Sequence, residues 1–403
     1  MGTLTRTTSG WTYQLGNAVE TYDSNGRLLS LTNENGLTQT LTYNSTGQLA
    51  RVDGVAGTFL TFSYSGDGTR LLAVSDPTRI WHYQYDTNGR LIAVVNPDDT
   101  TRQYLYEDST NSTALTGLID GRGIRYSTWG YDAQGRAILA THANNADYGA
   151  ITYPSDTMRT VTDGRGNTTT YTMLNQNGSI IVSAIDGPAC ATCGGSSHHE
   201  EFTYNNEYHE ILSKTVDGVT TQYNNYDANH NPSIVTEAVG TPQQRQIHYI
   251  YDPHYFSKVL RKTEPSMCAG QSKVTNYKYD KFGDLTSVTI NGFTPDCTAE
   301  SRTTTMQYNG PLHQLSQIDG PRTDVNDVII FTYYPDDASQ GNNRARLQRV
   351  TLANGTVARD NIQYSSTGKV LSETRINGLI LSYTYYPGND RLQTVSESDW
   401  RGI

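Results

Sequence analysis

The 403-residue chain is poor in most of what an ordinary domain uses to hold a core. Hydrophobic residues make up 35% of it, below the usual share. No stretch approaches the run of about 18 apolar residues that a membrane-spanning helix requires. The formal charge is −10 and no long Lys/Arg run occurs, which excludes a nucleic-acid binder, since such proteins carry a basic stripe. The opening residues, Met1 to Arg6, lack the apolar segment of a secretory signal. Gly2 is read as chance or a cloning scar rather than a myristoylation site. Phe (7), Trp (4) and Cys (4) are scarce. What is abundant is tyrosine, 29 residues, which buries a large ring while keeping its hydroxyl wet. Charged residues are only 17%, and Thr, Val and Ile are plentiful, so the chain is not of the disordered class.

Tyrosine is also periodic. Tyr22, Tyr43, Tyr64, Tyr85 and Tyr106 stand 21 residues apart, and the first four are each followed four places on by a glycine: Gly26, Gly47, Gly68 and Gly89. Later copies place Gly135, Gly283 and Gly368 in the same role. A period between about 20 and 50 residues marks a repeat array. Within one repeat, Tyr22-Asp23-Ser24-Asn25-Gly26-Arg27-Leu28 reads as a turn, because Asp and Asn bond their own backbone and Gly tolerates positive φ. A second turn lies half a repeat on, at Asn35-Gly36 and Asp53-Gly54, then at Asp120-Gly121, Asp163-Gly164 and Asp217-Gly218. Turns about every ten residues leave room for strands of roughly 5–8 residues. Each repeat is therefore an antiparallel hairpin, and the five tyrosines form a ladder on one face.

The expected organisation is an irregular lead-in over 1–21, holding a strand at Trp11 to Tyr13, then a continuous array over 22–403. A Gly/Ser/Pro-rich loop interrupts it near 187–200, and a second loop-like stretch runs from Asn291-Gly292 to Arg302. His230 stands where the repeat has glycine.

The run Tyr-Asp-x-x-Gly-Arg-Leu at 22–28 and 85–91, with weaker copies at 131–136 and 279–285, resembles the YD-repeat (Rhs) family. The resemblance covers nearly the whole chain. It implies an all-β solenoid of antiparallel hairpins that spirals into a shell-like sheet. By the same resemblance, such shells encapsulate a toxic C-terminal polypeptide or serve adhesion at a cell surface. The Tyr-, Gly- and Arg-rich core segment with an Asp-Pro element, and the toxin domain after it, are not seen before Ile403. Self-cleavage and toxicity are accordingly not carried over.

Several local motifs have both a functional and a bland reading. Cys190 and Cys193 have C-x-x-C spacing and are followed by His198 and His199, a set that could hold zinc. The histidines are adjacent and the spacing misses the finger pattern, so a local Cys190–Cys193 disulfide with Cys268 and Cys297 as a second pair, or free thiols, is preferred to zinc, and no metal or cofactor is expected. Asp98-Asp99 and Asp336-Asp337 follow prolines and read as turns rather than calcium ligands. Asp163 to Asn167 is a turn, not a phosphate cradle. The sequons at Asn44, Asn111 and Asn167 are chance matches in an Asn- and Thr-rich chain. No Gly-x-Ser-x-Gly elbow occurs, and no carboxylate pair singles itself out as a glycosidase dyad.

The leading expectation is thus a non-catalytic structural scaffold, secreted or at the cell surface, with no membrane span. Its partners are itself or the flanking parts of a larger YD-repeat protein. A carbohydrate-binding or adhesive module is the alternative. The strong strand at Ile380 to Tyr386 near the terminus leads to the expectation of end-to-end association or of covering by flanking segments.

Overall fold

A computed structural model describes residues 2–188, 197–255, 257–386 and 390–398. Among these residues the chain is all-β, with 34 strands assigned to one antiparallel sheet and four short 3₁₀ turns. It divides into two compact units. One comprises Met1–Gln84, Val95–Asp99 and Thr275–Ile403, the other Tyr85–Val94 and Thr100–Val274.

The first unit shows how the repeat becomes a hairpin. Strands Ala18–Asp23, Leu28–Thr32, Thr38–Tyr43, Leu49–Asp53 and Phe59–Tyr64 pair each with the next, through Thr21↔Ser30, Leu31↔Gln39, Leu41↔Val52 and Val52↔Leu60. Side chains alternate faces along a strand, so this register sorts the residues into two sets. Leu31, Leu41, Val52, Phe62, Tyr22, Tyr43 and Tyr64 share one face. Thr and Ser dominate the other, joined across strands by hydroxyl pairs such as Thr21–Ser30 (2.5 Å), Thr32–Thr38 (2.8 Å) and Thr61–Ser75 (2.6 Å).

The repeat tyrosine sits at a break in register. Pairing shifts between Thr21 and Tyr22, between Thr42 and Tyr43, and between Ser63 and Tyr64, so that Tyr22 faces Leu28, Tyr43 faces Leu49 and Tyr64 faces Leu71. The second unit repeats this at Tyr131, Tyr204 and Tyr251. Each is a β-bulge, which kinks the strand and adds local twist.

Turns hold the strands together through their first residue. Asp23 Oδ1 accepts the N–H groups of Asn25 (2.8 Å) and Arg27 (2.9 Å), and Gly26 N–H donates to Asp23 O (3.1 Å). Gly26 closes the loop at φ +80°, and Gly47, Gly68, Gly89, Gly135, Gly283 and Gly368 lie between +71° and +84°. The half-repeat turns are less uniform than their Asp-Gly and Asn-Gly pairs predict. Gly54 is extended (φ −103°), and the reversal falls on Ala56 and Gly57 (+56° and +77°). After Asp120 and Asp163 the left-handed residues are Gly123 and Gly166. In these two turns the aspartate captures N–H groups two and four places on, which moves the reversal beyond the adjacent glycine. Asp217-Gly218 (+49°, +85°) does form a two-residue hairpin, between Val216 and Val219, as does Asn177-Gly178 between Gln176 and Ser179.

Two expectations about irregular segments, at 1–21 and 291–302, are corrected. The 1–21 segment is largely strand, Thr3–Arg6 pairing with Gly10–Leu15. Of the loop expected near 187–200, residues 189–196 lie outside the described residues; on either side of them Gly187 pairs with His198 and Pro188 with Ser197. Asn291-Gly292 is no turn, because Leu285–Phe293 pairs with Ala299–Gln307 out to Phe293↔Ala299. In the two corrected segments β-forming side chains, including Thr opposite Thr as at Thr289–Thr303 (3.0 Å), outweigh the local loop signals.

The first unit also buries an ion-pair network. Glu373, whose side chain is 1% exposed, accepts from Arg359, Arg375 Nη2 (2.6 Å) and the Tyr383 hydroxyl (2.8 Å), close in sequence to fully buried Ile362.

Two outcomes follow for stability. Replacing Gly47 by valine destabilises by about 1–3 kcal/mol in urea unfolding, through backbone strain at φ +84°. Replacing Glu373 by glutamine costs about 3 kcal/mol, the low end for a broken buried pair because both guanidinium groups keep access to water. An unchanged unfolding midpoint in that variant would show that the network contributes nothing to stability.

Candidate functional site

The residues that recur in every good copy of the repeat converge on one constellation at the junction between neighbouring hairpins. Its centre is the tyrosine hydroxyl. Tyr43 donates to the carbonyl of Leu28 (2.7 Å), Tyr64 to Leu49 (2.9 Å), Tyr106 to Leu91 (3.0 Å), Tyr131 to Leu115 (2.9 Å) and Tyr153 to Ala137 (2.8 Å). The same bond recurs from Tyr204, Tyr226, Tyr251, Tyr308, Tyr333, Tyr364 and Tyr385. In the first pair the acceptor is the residue two places after the previous glycine, about fifteen positions upstream. Tyr22 differs, since its hydroxyl goes to Glu20 on its own strand. Tyr85 is half-buried like the others.

In seven of these tyrosines burial favours the protonated, donating form. It pushes Tyr226 up to about 12 and raises Tyr204, Tyr251, Tyr308, Tyr333, Tyr364 and Tyr385 above the ordinary value.

Arginine supplies the second part. Arg27 Nε bonds Asp23 Oδ2 at 2.7 Å while its guanidinium lies 5.3 Å from the centre of the next repeat's Tyr43 ring. Arg90 does the same with Asp86 (2.6 Å) and Tyr106 (4.8 Å), and Arg136 with Asp132 (2.7 Å) and Tyr153 (4.1 Å). One side chain thus ties its own turn to the aromatic ring of the following hairpin. The backbone N–H of Arg27, with its guanidinium behind it, holds Asp23 below the usual carboxylate range.

Departures from the motif are informative. At Gln48, where arginine would stand, the amide reaches across to Gly68 O (2.6 Å) instead. At Tyr279 to Leu285 the position holds Asp284. There His313, from the following turn, takes the arginine's place: Nε2 lies 2.9 Å from Asp280 Oδ2 and 3.3 Å from Asp284 Oδ2, and its ring stacks on Tyr308 at 5.5 Å. Asp280, Asp284 and His313 form the cluster with metal-ligand spacing among the described residues, their ligand atoms within 4.8 Å of one another.

The other candidates resolve as follows. His198 and His199 do not converge; neighbouring strand residues point to opposite faces, and each ring is engaged by its own carboxylates. Cys190 and Cys193 lie outside the described residues, while Cys268 and Cys297 are each disulfide-bonded. Asp99 lies in a turn at φ +60°. Asp337 caps a 3₁₀ turn through Ser339 N–H (2.7 Å), and Asp336 pairs with Arg344. A cavity of about 620 Å³ in the first unit is lined by Phe59, Leu60, Arg79, Leu312 and Arg344 among others. Two of its arginines are already paired, Arg79 with Asp76 and Asp390 at 2.6 Å each and Arg344 with Asp336, and the third, Arg346, donates from Nε to the Asn342 carbonyl (3.0 Å).

Removing one hydroxyl tests the constellation. Tyr64→Phe leaves the Leu49 carbonyl without its donor and lowers stability by about 0.5–1.5 kcal/mol. Tyr22→Phe, whose hydroxyl joins no two repeats, serves as control. Equal losses from the two variants in urea titration would show that the bond to the preceding hairpin contributes nothing.

Comparison with known proteins places this geometry. Residues 2–185 match the Teneurin YD-shell family model. No curated protein sequence matches the chain. Among solved structures, TcdB2-TccC3-Cdc42 is similar at TM-score 0.62 and 13% identity, over 96% of this chain and 21% of that one. TcdB2-TccC3 without its hypervariable C-terminal region gives 0.62 at 12% identity, again over 96% and 21%. The Photorhabdus luminescens Tc holotoxin pore gives 0.54 at 13%, over 98% and 26%. The chain spans only about a fifth to a quarter of the length of these structures. The likeness at such identity is one of fold; together with the 21-residue Tyr-Gly register, the family match over residues 2–185 supports a YD-repeat family for the chain.

Proposed function

We propose that the chain is a structural element, a section of β-wall in a larger YD-repeat shell or surface assembly, secreted or displayed outside the cell. The observation that carries this reading is the use made of the repeat residues. Tyr, Asp, Gly and Arg are each engaged in closing a turn or in joining one hairpin to the next. Such nearest-neighbour bonding is how a repeat array gains stability from its own length. The family's name and the toxin complexes among the solved relatives support the shell reading. The share of those chains that is matched supports a section of wall, continued by flanking YD-repeat segments or a second copy.

The alternative, a carbohydrate-binding module, would use tyrosine rings and hydroxyls to hold sugars. The lock hydroxyls are donated to backbone carbonyls, which supports the scaffold. Two measurements on the purified chain decide. Electron microscopy is expected to show a continuous curved β-wall, and a glycan array is expected to show no saturable binding. Saturable binding of a defined glycan, lost on substituting tyrosines of the array, would overturn the scaffold reading.

A further inference from the structure

We propose that His198 and His199 form a paired imidazolium clasp that makes one segment of the second unit pH-responsive, tightened in acid and loosened as the rings lose their protons. The segment consists of strands Ser179–Pro188, Ser197–Tyr204 and Ile211–Val216.

The geometry is specific to this place. His198 Nε2 lies 3.0 Å from Glu200 Oε1, and Nδ1 lies 3.2 Å from Asp217 Oδ2. On the opposite face, His199 Nδ1 lies 2.6 Å from Asp186 Oδ1, and Nε2 lies 3.3 Å from Glu201 Oε1. A neutral imidazole has one N–H and can serve one of two carboxylates; its other nitrogen then turns a lone pair toward an anion. Only imidazolium donates from both nitrogens. Four carboxylates around two rings are therefore a geometry built for the doubly protonated state.

The partners come from three parts of the sheet. Asp186 lies on the preceding strand, Glu200 and Glu201 on the histidines' own strand, and Asp217 in the turn after Ile211–Val216. Asp217 also accepts the His199 backbone N–H (2.8 Å) from its left-handed position at φ +49°. The clasp thus holds a strained turn as well as two strand edges. The remaining charge nearby is Lys214, whose Nζ lies 2.9 Å from Glu200 Oε2. With both rings protonated, His198 and Lys214 balance Glu200 and Asp217, whereas His199 alone faces Asp186 and Glu201 among the described residues. Deprotonation leaves an unbalanced carboxylate pair on the His199 face.

The direction of the effect follows from these contacts. Hydrogen bonds donated to Glu200 and then to Asp217 raise His198 above its ordinary 6.5, and those donated to Asp186 and then to Glu201 raise His199. Groups held protonated by the fold stabilise it fully below the unfolded value and cease to as pH rises through the folded one. Both rings are a third or more exposed (34% and 41%), so salt weakens the clasp. The Asp-Arg pairs of the repeat turns lack this behaviour near neutrality, because arginine does not titrate there.

Hydrogen–deuterium exchange on the full chain tests the proposal, at about pH 5.5 and about pH 8.5 with labelling times scaled for intrinsic exchange. Protection in the three strands is expected to fall at the higher pH. The fall is about tenfold for each unit by which a ring's folded value exceeds its unfolded one. Strands Gly149–Ser155 and Met158–Asp163, in the same unit, serve as the unresponsive reference. In His198→Gln/His199→Gln the difference disappears, and each single variant removes part of it, which keeps the test decisive if the double variant does not fold. A pH-independent wild type, or an undiminished fall in the variants, overturns the proposal. So does an imidazole NMR titration placing both rings at or below the unfolded value.

Discussion

The structure depends on a hydrogen bond that closes a gap left by the sheet itself. Pairing between Leu28–Thr32 and Thr38–Tyr43 runs from Thr32↔Thr38 only as far as Ser30↔Thr40, and between Leu49–Asp53 and Phe59–Tyr64 only as far as Arg51↔Thr61. Leu28 and Leu49 lie two residues beyond those last rungs, where the strands diverge and a backbone carbonyl is left without a ladder partner. The next tyrosine reaches back to that carbonyl. A phenol is well suited to this, because its ring spans the distance while covering apolar surface and its hydroxyl supplies the missing donor. Phenylalanine would cover the surface and leave the carbonyl bare. This explains why aromatic usage is so skewed toward tyrosine in this chain.

The arginine and aspartate make sense only with that ring in place. Aspartate's first oxygen organises its own turn and its second holds the guanidinium, which then lies over the following tyrosine. Part of the attraction of a cation for a ring face is retained at exposed sites, and a guanidinium already fixed by aspartate loses less freedom on stacking there. The turn and the junction are therefore coupled through one side chain. Where the arginine is absent, the substitutes differ in chemistry and keep the linkage. Gln48 spans to the next turn's backbone, and His313 is brought in from the following loop to meet both Asp280 and the Tyr308 ring.

The hairpin repeat and the turns at Gly26, Gly47 and Gly68 were legible in the sequence because they follow from periodicity and from φ-permissive glycines, both local. The bulge at tyrosines such as Tyr22, Tyr43 and Tyr64 was not. It shows only as a mismatch between strand lengths on either side of a turn, and Tyr43 must be seen opposite Leu49 before the extra residue appears. Asp53-Gly54 misled for a related reason: the pair looked like a turn, but the aspartate ends a strand and the reversal comes at Ala56 and Gly57. Composition misled at 291–302, where the Asn-Gly pair suggested a loop and cross-strand pairing won. The carboxylate partners of His198 and His199 are spread from Asp186 to Asp217, a convergence that needs the register of three strands.

Because each lock joins only adjacent hairpins, a weakened copy costs locally and leaves its neighbours intact, as expected of a quasi-one-dimensional array. That accounts for the tolerance of unfavourable residues. His230 occupies the glycine position at φ +64°, a conformation costly for a side chain with a Cβ. Yet its turn keeps the aspartate bonds to Asn229 (2.8 Å) and Asn231 (3.0 Å) N–H, the Tyr226 hydroxyl still reaches Ile211, and the ring gains Glu210 at 2.6 Å. Strain at one backbone position is thus offset by contacts that the repeat geometry supplies regardless of which residue stands there. A fold stabilised by many equivalent junctions can vary one of them toward another property, and the two-histidine clasp between ordinary strands is variation of that kind.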